Sequence, residues 1–163
     1  AASDVYKRQL FLLKINNMQL TLELKKAIEN NAFCSIATYL ENNEIQNHLM
    51  WIDYKDDFLL INTEKGRKKT SNIRNNNLIT LVIFEPSAMY SSWEARGKVI
   101  EIIEDESANQ HIDKLSRRYT SHPYAREDDV SWDEAGIKDR ELWVIEVSKL
   151  NSMIRPQAKS DPE

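Results

Sequence analysis

The chain is poor in the residues that make tight turns and crosslinks: three glycines, four prolines and one cysteine among 163 residues. Three glycines cannot build a glycine-rich phosphate cradle, and neither a P-loop nor a Gly-x-Ser-x-Gly nucleophile elbow is present. A single cysteine, Cys34, excludes an internal disulfide. No apolar run approaches the roughly 18 residues of a membrane-spanning helix, and Phe11-Leu12-Leu13 is too short for a signal-peptide core. The cytoplasm is therefore the expected compartment, with neither a membrane nor an oxidising environment in view. Cys34, His48, His111 and His122 form no close ligand pair, which argues against a zinc site. His111, beside Gln110 in a helical stretch, reads as a surface histidine. The formal charge of −4 argues against nucleic acid as a partner.

What is there is ordinary globular material, 41% apolar and 29% charged, enough for one domain with a real core. Residues 1–9 resemble read-through of a sequencing-library adapter, and Met18 is the first methionine. Residues 1–17 are accordingly read as a non-native leader making few contacts, 18–150 as the single domain, and 151–163 as a flexible tail.

Periodicity gives the order of elements. Thr21 caps a short helix with Leu22, Leu24, Ala27 and Ile28 on a partial apolar face. Phe33 to Leu40, Ile45 to Tyr54 and Phe58 to Thr63 read as three strands joined by two polar turns, which indicates antiparallel pairing. A short helix is expected near residues 66–75, then strands over Leu78–Phe84 and Trp93–Ile103, the second with Gly97 at a bulge. Asp105 or Ser107 caps a helix carrying Ala108, Ile112, Leu115 and Tyr119. Residues 121–139 lack periodicity, and Leu142–Val147 ends the pattern as a strand. Strands joined mostly by turns exclude a doubly wound parallel sheet. The expected fold is mainly β: an antiparallel split barrel or closed sheet of about six strands with peripheral helices.

Few residues stand out chemically. Cys34 lies in an apolar strand with no basic neighbour and reads as a buried, inert thiol. The segment Asn62 to Arg74 holds five basic residues in the ten positions 65–74, against the sign of the whole chain. It follows a strand and opens a helix, where free N–H groups and the helix dipole favour an anion. It reads as a seat for one phosphate; a solvated basic face is the alternative. Trp51 reads either as core or as a stacking surface for a planar ring. Met89 to Trp93 is a polar–aromatic stretch ahead of a strand.

Several pieces together resemble the pyridoxamine-phosphate-oxidase-like split β-barrel superfamily, and within it the small flavin- or deazaflavin-dependent oxidoreductases. These are Phe33-Cys34-Ser35-Ile36-Ala37-Thr38, His48-Leu49-Met50-Trp51-Ile52-Asp53-Tyr54, Ile61-Asn62-Thr63 with Gly66-Arg67-Lys68-Lys69, Trp93-Glu94-Ala95-Arg96-Gly97-Lys98-Val99, and Asp113-Lys114-Leu115 through Arg118-Tyr119. The resemblance covers residues 20–150. It implies that Arg67 and Lys69, with Lys68, hold a cofactor phosphate, and that Asn62 and Thr63 lie beside it. Met50, Trp51 and Ile52 would line the ring, and Ser92 would reach the cofactor across a dimer interface. Glu41-Asn42-Asn43-Glu44 and Asn75-Asn76-Asn77 depart from the pattern of relatives. The C-terminal arginine-containing stretch of true pyridoxamine-phosphate oxidases is not recognisable, so vitamin-B6 oxidation is not implied. The implied function is hydride transfer between a bound flavin or deazaflavin and a small organic substrate, in a cytoplasmic homodimer. The lean is to coenzyme F-420 over FMN. A split barrel that holds FMN or haem without turnover is the alternative.

Overall fold

The computed structural model describes residues 17–153. The non-native leader expected over residues 1–16 and the flexible tail expected over 154–163 lie outside the described residues. Three helices and seven strands follow in the order α1 (Leu22–Glu29), β1 (Phe33–Tyr39), β2 (Ile45–Trp51), β3 (Asp53–Lys55), β4 (Phe58–Glu64), α2 (Lys68–Asn75), β5 (Leu78–Glu85), β6 (Ala88–Ile103), α3 (Glu106–Thr120) and β7 (Arg140–Ser152). Local chemistry sets the helix starts. The Thr21 hydroxyl accepts from the Leu24 amide, and the Asp105 carboxylate accepts from the Ser107 amide.

All seven strands join one antiparallel sheet in the order β2-β1-β5-β6-β7-β4-β3. The two outermost strands of that order, β2 and β3, are separated in the chain only by Ile52. One residue spans at most about 3.6 Å, so the two edges of the sheet are forced together and the sheet must roll up. No ladder joins β2 to β3 or β4, so the roll stays split along this seam. The expected single strand over residues 45–54 is thus two, which makes seven strands rather than about six.

Tyr119 of α3 stabilises the seam. Its hydroxyl donates to the carbonyls of Ala32 and Ile52 and accepts from the Ile52 amide. Arg118 also donates to the Ile52 carbonyl. The backbone polar groups that the strand break leaves without ladder partners are satisfied by one helix.

Alternation along the strands sends Cys34, Ile36, Ile61, Leu81, Ile83, Trp93, Ala95, Ile145 and Val147 into the barrel. Cys34 is fully buried, and burial pushes its thiol pKa up, as expected of an inert cysteine. Two strands are longer than the periodicity indicated. Met89 to Ser92, expected as a loop, belong to β6, where Ser92 pairs with Phe84, and β7 runs through Asn151 and Ser152. Asn17, expected to make few contacts, accepts from the Val147 amide and donates to the Asp57 carbonyl. No described helix is long and apolar enough to cross a membrane.

Gly97 sits where the β6–β7 register shifts, and a Cβ there would lie 2.0 Å from the Glu146 carbonyl oxygen. The neighbour is backbone and cannot step aside. Gly97→Ala is expected to destabilise the protein by about 1–3 kcal/mol or more, read as a lowered midpoint of thermal unfolding.

Candidate functional site

The basic segment leaves β4 at Glu64 and turns at Gly66, whose φ of +79° suits glycine. It then enters α2. Unlike α1 and α3, this helix has no side-chain cap: Arg67 occupies the N-cap position without a capping hydrogen bond, and no acid lies in the first turn. Its first amides thus face outward among positive charges, an arrangement that favours an anion.

Ion pairing sorts the basic residues. Lys65 pairs with Glu104, Arg67 with Glu64 at 3.2 Å, Lys68 with Glu41 at 3.5 Å, and Arg74 with Glu141 at 2.9 Å. Lys69 has no hydrogen bond or ion pair among the described residues, although it is half-buried. Desolvation, reinforced by the neighbouring charges of Arg67 and Arg140, lowers its pKa. His48 of β2 is also pushed down, by desolvation and then by Lys69. The first residue of β7 stands across the ladder from Glu64, the carboxylate paired with Arg67, so the seat lies between the start of α2 and the start of β7.

That first residue, Arg140, is the one the sequence reading missed. It is 7% exposed and meets no carboxylate within ion-pair distance among the described residues. Its Nε donates to Asn62 Oδ1 at 2.8 Å and its Nη1 to the Tyr124 hydroxyl at 3.1 Å. The guanidinium also lies over the Tyr124 ring, 5.1 Å from the centroid. Desolvation lowers its pKa.

Asn62 links Arg140 to a second buried group. Its amide nitrogen donates to the Ala108 carbonyl at 2.7 Å and lies 3.4 Å from His111 Nδ1. With Asn62 as donor, Nδ1 is the acceptor, and Nε2–H faces Asp53 Oδ2 at 3.2 Å. His111 is thus a buried link rather than a surface histidine. Asp53 also accepts from Lys114 at 2.8 Å and Arg118 at 2.9 Å. Burial works to raise the Asp53 pKa, but the hydrogen bonds from His111, Lys114 and Arg118 outweigh it and hold the carboxyl well below the usual range.

The other expected site residues fall in three places. Thr63 is buried on the opposite face of β4 from Asn62, away from Arg140. Asn62 has both amide hydrogens engaged and reaches the seat through Arg140. The Ile52 side chain lies in the core, with its amide and carbonyl held by Tyr119 and Arg118. Met50 packs against the core, and Trp51 stacks on Tyr119 at 5.1 Å and 4° between planes. Ser92 is distant. Ile103, across Leu142 from Asn62, is eleven residues further along β6, roughly 30 Å of strand. One protomer does not bring Ser92 to the basic seat.

Removing the charge at Asp53 leaves Arg118, mostly buried, uncompensated. Asp53→Asn is expected to cost roughly 3–5 kcal/mol, with Lys114 adding little because it is largely exposed. The carboxylate's contribution is present above its unfolded pKa of about 3.9 and is lost as pH falls through the lowered folded value. Urea unfolding of both proteins should therefore show a gap that narrows in acid below about pH 4.

The sequence model of the pyridoxamine 5'-phosphate oxidase family matches residues 20–153. No curated protein matches the chain. Among solved structures, the chain is similar to an F-420 reductase at 24% identity and TM-score 0.65, covering 78% of this chain and 94% of that one. It is similar to a conserved hypothetical protein from Mycobacterium tuberculosis at 16% identity and TM-score 0.66, covering 90% and 95%. It is similar to General Stress Protein 26 from Bacillus anthracis at 16% identity and TM-score 0.56, covering 78% and 88%. At these identities the likeness speaks to the fold, and it agrees with the seven-stranded antiparallel sheet. The family match spans nearly all of the described structure: the chain belongs to the pyridoxamine 5'-phosphate oxidase family.

Proposed function

We propose that the protein is an oxidoreductase that binds a flavin or deazaflavin, FMN or coenzyme F-420, for hydride transfer to a small organic substrate. The observation that carries this reading is the pair Lys69 and Arg140, two cations without carboxylate partners among the described residues, beside the uncapped start of α2. Such a pair fits an anionic cofactor tail better than it fits a solvated face. Arg67 and Lys69 would hold the phosphate with the free amides of α2, and Lys68 would add charge from the rim. Met50, Trp51 and the backbone at Ile52 would line the ring. The hydride chemistry belongs to the bound cofactor; the chain's part is to hold and orient it.

We further propose a homodimer. The outer face of β2, β1 and β5 carries Ile45, Leu49, Leu78 and Val82, all exposed, and Leu49, Ser35 and Val82 lie in one cross-strand row. Several exposed apolar side chains gathered on one face of a sheet mark an interaction surface. A second copy would also supply Ser92, which one protomer holds away from its own seat.

The test is equilibrium binding of both cofactors to the parent protein and to the double variant Arg67→Ala, Lys69→Ala. Each charge-assisted hydrogen bond contributes roughly 1.5–3 kcal/mol, so the pair is expected to weaken binding by about a hundredfold or more. Unchanged affinity contradicts the seat. Reoxidation of the reduced, bound cofactor by candidate substrates separates an enzyme from a module that only binds. Light scattering is expected to give the mass of two chains, and of one for Leu49→Lys with Val82→Lys.

A further inference from the structure

Two buried residues, Pro123 and Arg140, bracket a stretch that otherwise lies on the surface. No residue from Tyr124 to Asp139 is buried, so no apolar anchor ties the stretch to the core. It is ordered all the same. Ser131 and Glu134 form a capping box: the Ser131 amide and hydroxyl donate to Glu134 Oε2 at 2.9 and 2.7 Å, and the Glu134 amide donates back to the Ser131 hydroxyl at 3.3 Å. The Ala135 amide then donates to the Ser131 carbonyl and the Ile137 amide to the Trp132 carbonyl, and Gly136, at a φ of +65°, ends this single turn. These hydrogen bonds are all internal to the stretch.

Three polar grips join residues 124–138 to the rest of the described chain. The Tyr124 amide donates to Asp113 Oδ1 of α3 at 2.8 Å. The Tyr124 hydroxyl accepts from Arg140 Nη1, and its ring covers the guanidinium. Asp128 pairs with Arg117 of α3, both largely exposed, which makes a weak tie. Trp132 leans on the Tyr124 ring at 5.9 Å and so couples the turn to that residue. The ends are fixed. Ser121, at a φ of +64°, turns the chain off α3, and the Asp139 carbonyl accepts from the Lys65 amide at 3.0 Å.

We propose that residues 124–138 form a strap that swings off the barrel as one piece, with Tyr124 as its latch, and that this motion decides whether Arg140 meets solvent. Arg140 itself stays in place, because its bond to Asn62 and its ladder partner Glu64 do not involve the strap. The motion requires no bound ligand, so it stands apart from the cofactor reading.

The test follows modification of Arg140 by phenylglyoxal, an arginine reagent, in the full chain without ligand, with the adduct located by peptide mapping. Arg96, exposed and paired with Glu94, is the internal reference. Below the unfolding transition the parent's rate should stay nearly flat with urea, since a swinging strap exposes little surface. Tyr124→Leu is expected to raise the rate about tenfold or more. Asp128→Asn and Asp128→Lys, which do not touch Arg140, should raise it in that order, the second by about fivefold. Arg96 should react alike in all. A parent rate that climbs with the full unfolding slope overturns the proposal, because Arg140 then reacts only in the unfolded chain. Equal rates across the Asp128 series also overturn it, because Tyr124 is then a local cover and the strap does not move as a unit. If Tyr124→Leu does not fold, the urea dependence and the Asp128 series decide by the same criteria.

Discussion

A buried guanidinium without a carboxylate is an expensive object, and Arg140 is one. The surrounding structure is arranged to keep it. Asn62 accepts from Nε, Tyr124 accepts from Nη1 and covers the cation with its ring. Asn62 is itself fixed by the Ala108 carbonyl and by His111, and His111 by Asp53. This polar chain ties β3, β4, β7 and α3 together. Its two ends are electrically opposite. At one end, a single carboxylate serves Arg118, Lys114 and His111. At the other, the hydrogen-bond partners of Arg140 among the described residues, Asn62 and Tyr124, are neutral. Nothing in packing alone calls for that asymmetry, whereas an anionic ligand at the open end does.

The seam of the barrel places this chain. Because β2 continues into β3 through one residue, the sheet rolls until its edges meet, and α3 is drawn across the break by Tyr119 and Arg118. The same helix carries Ala108 and His111, the partners of Asn62. One helix therefore satisfies the broken backbone and orients the residue that holds Arg140. Trp51, stacked on Tyr119, belongs to this arrangement. Its visible partner is a protein ring.

Much of the fold was legible in the sequence because it rests on local rules. Apolar, β-forming runs marked β1, β4 and β5, Thr21 and Asp105 (or Ser107) marked two helix starts, and Gly97 marked the bulge. The seam was not legible, because nothing between Trp51 and Asp53 signals a turn; the break is imposed by two different partner strands. The extra length of β6 and β7 was hidden in polar residues, Ser91, Ser92, Asn151 and Ser152, that the sheet accepts only because neighbours supply ladders. At the site, the charge run from Lys65 to Arg74 stood out against an acidic chain. Which of its members lacks a partner depended on acids as distant as Glu41, Glu104 and Glu141. Arg140 gave one weak signal, an arginine at the start of a strand. His111 looked like a surface residue because its partners, Asn62 and Asp53, lie about fifty positions away.

The most direct test of the central claim is a crystal structure of the protein grown with FMN. The account predicts the phosphate within hydrogen-bonding distance of both the Lys69 ammonium and the Arg140 guanidinium, at the start of α2. A phosphate bound elsewhere, or a carboxylate from a second copy paired with Arg140, would contradict it.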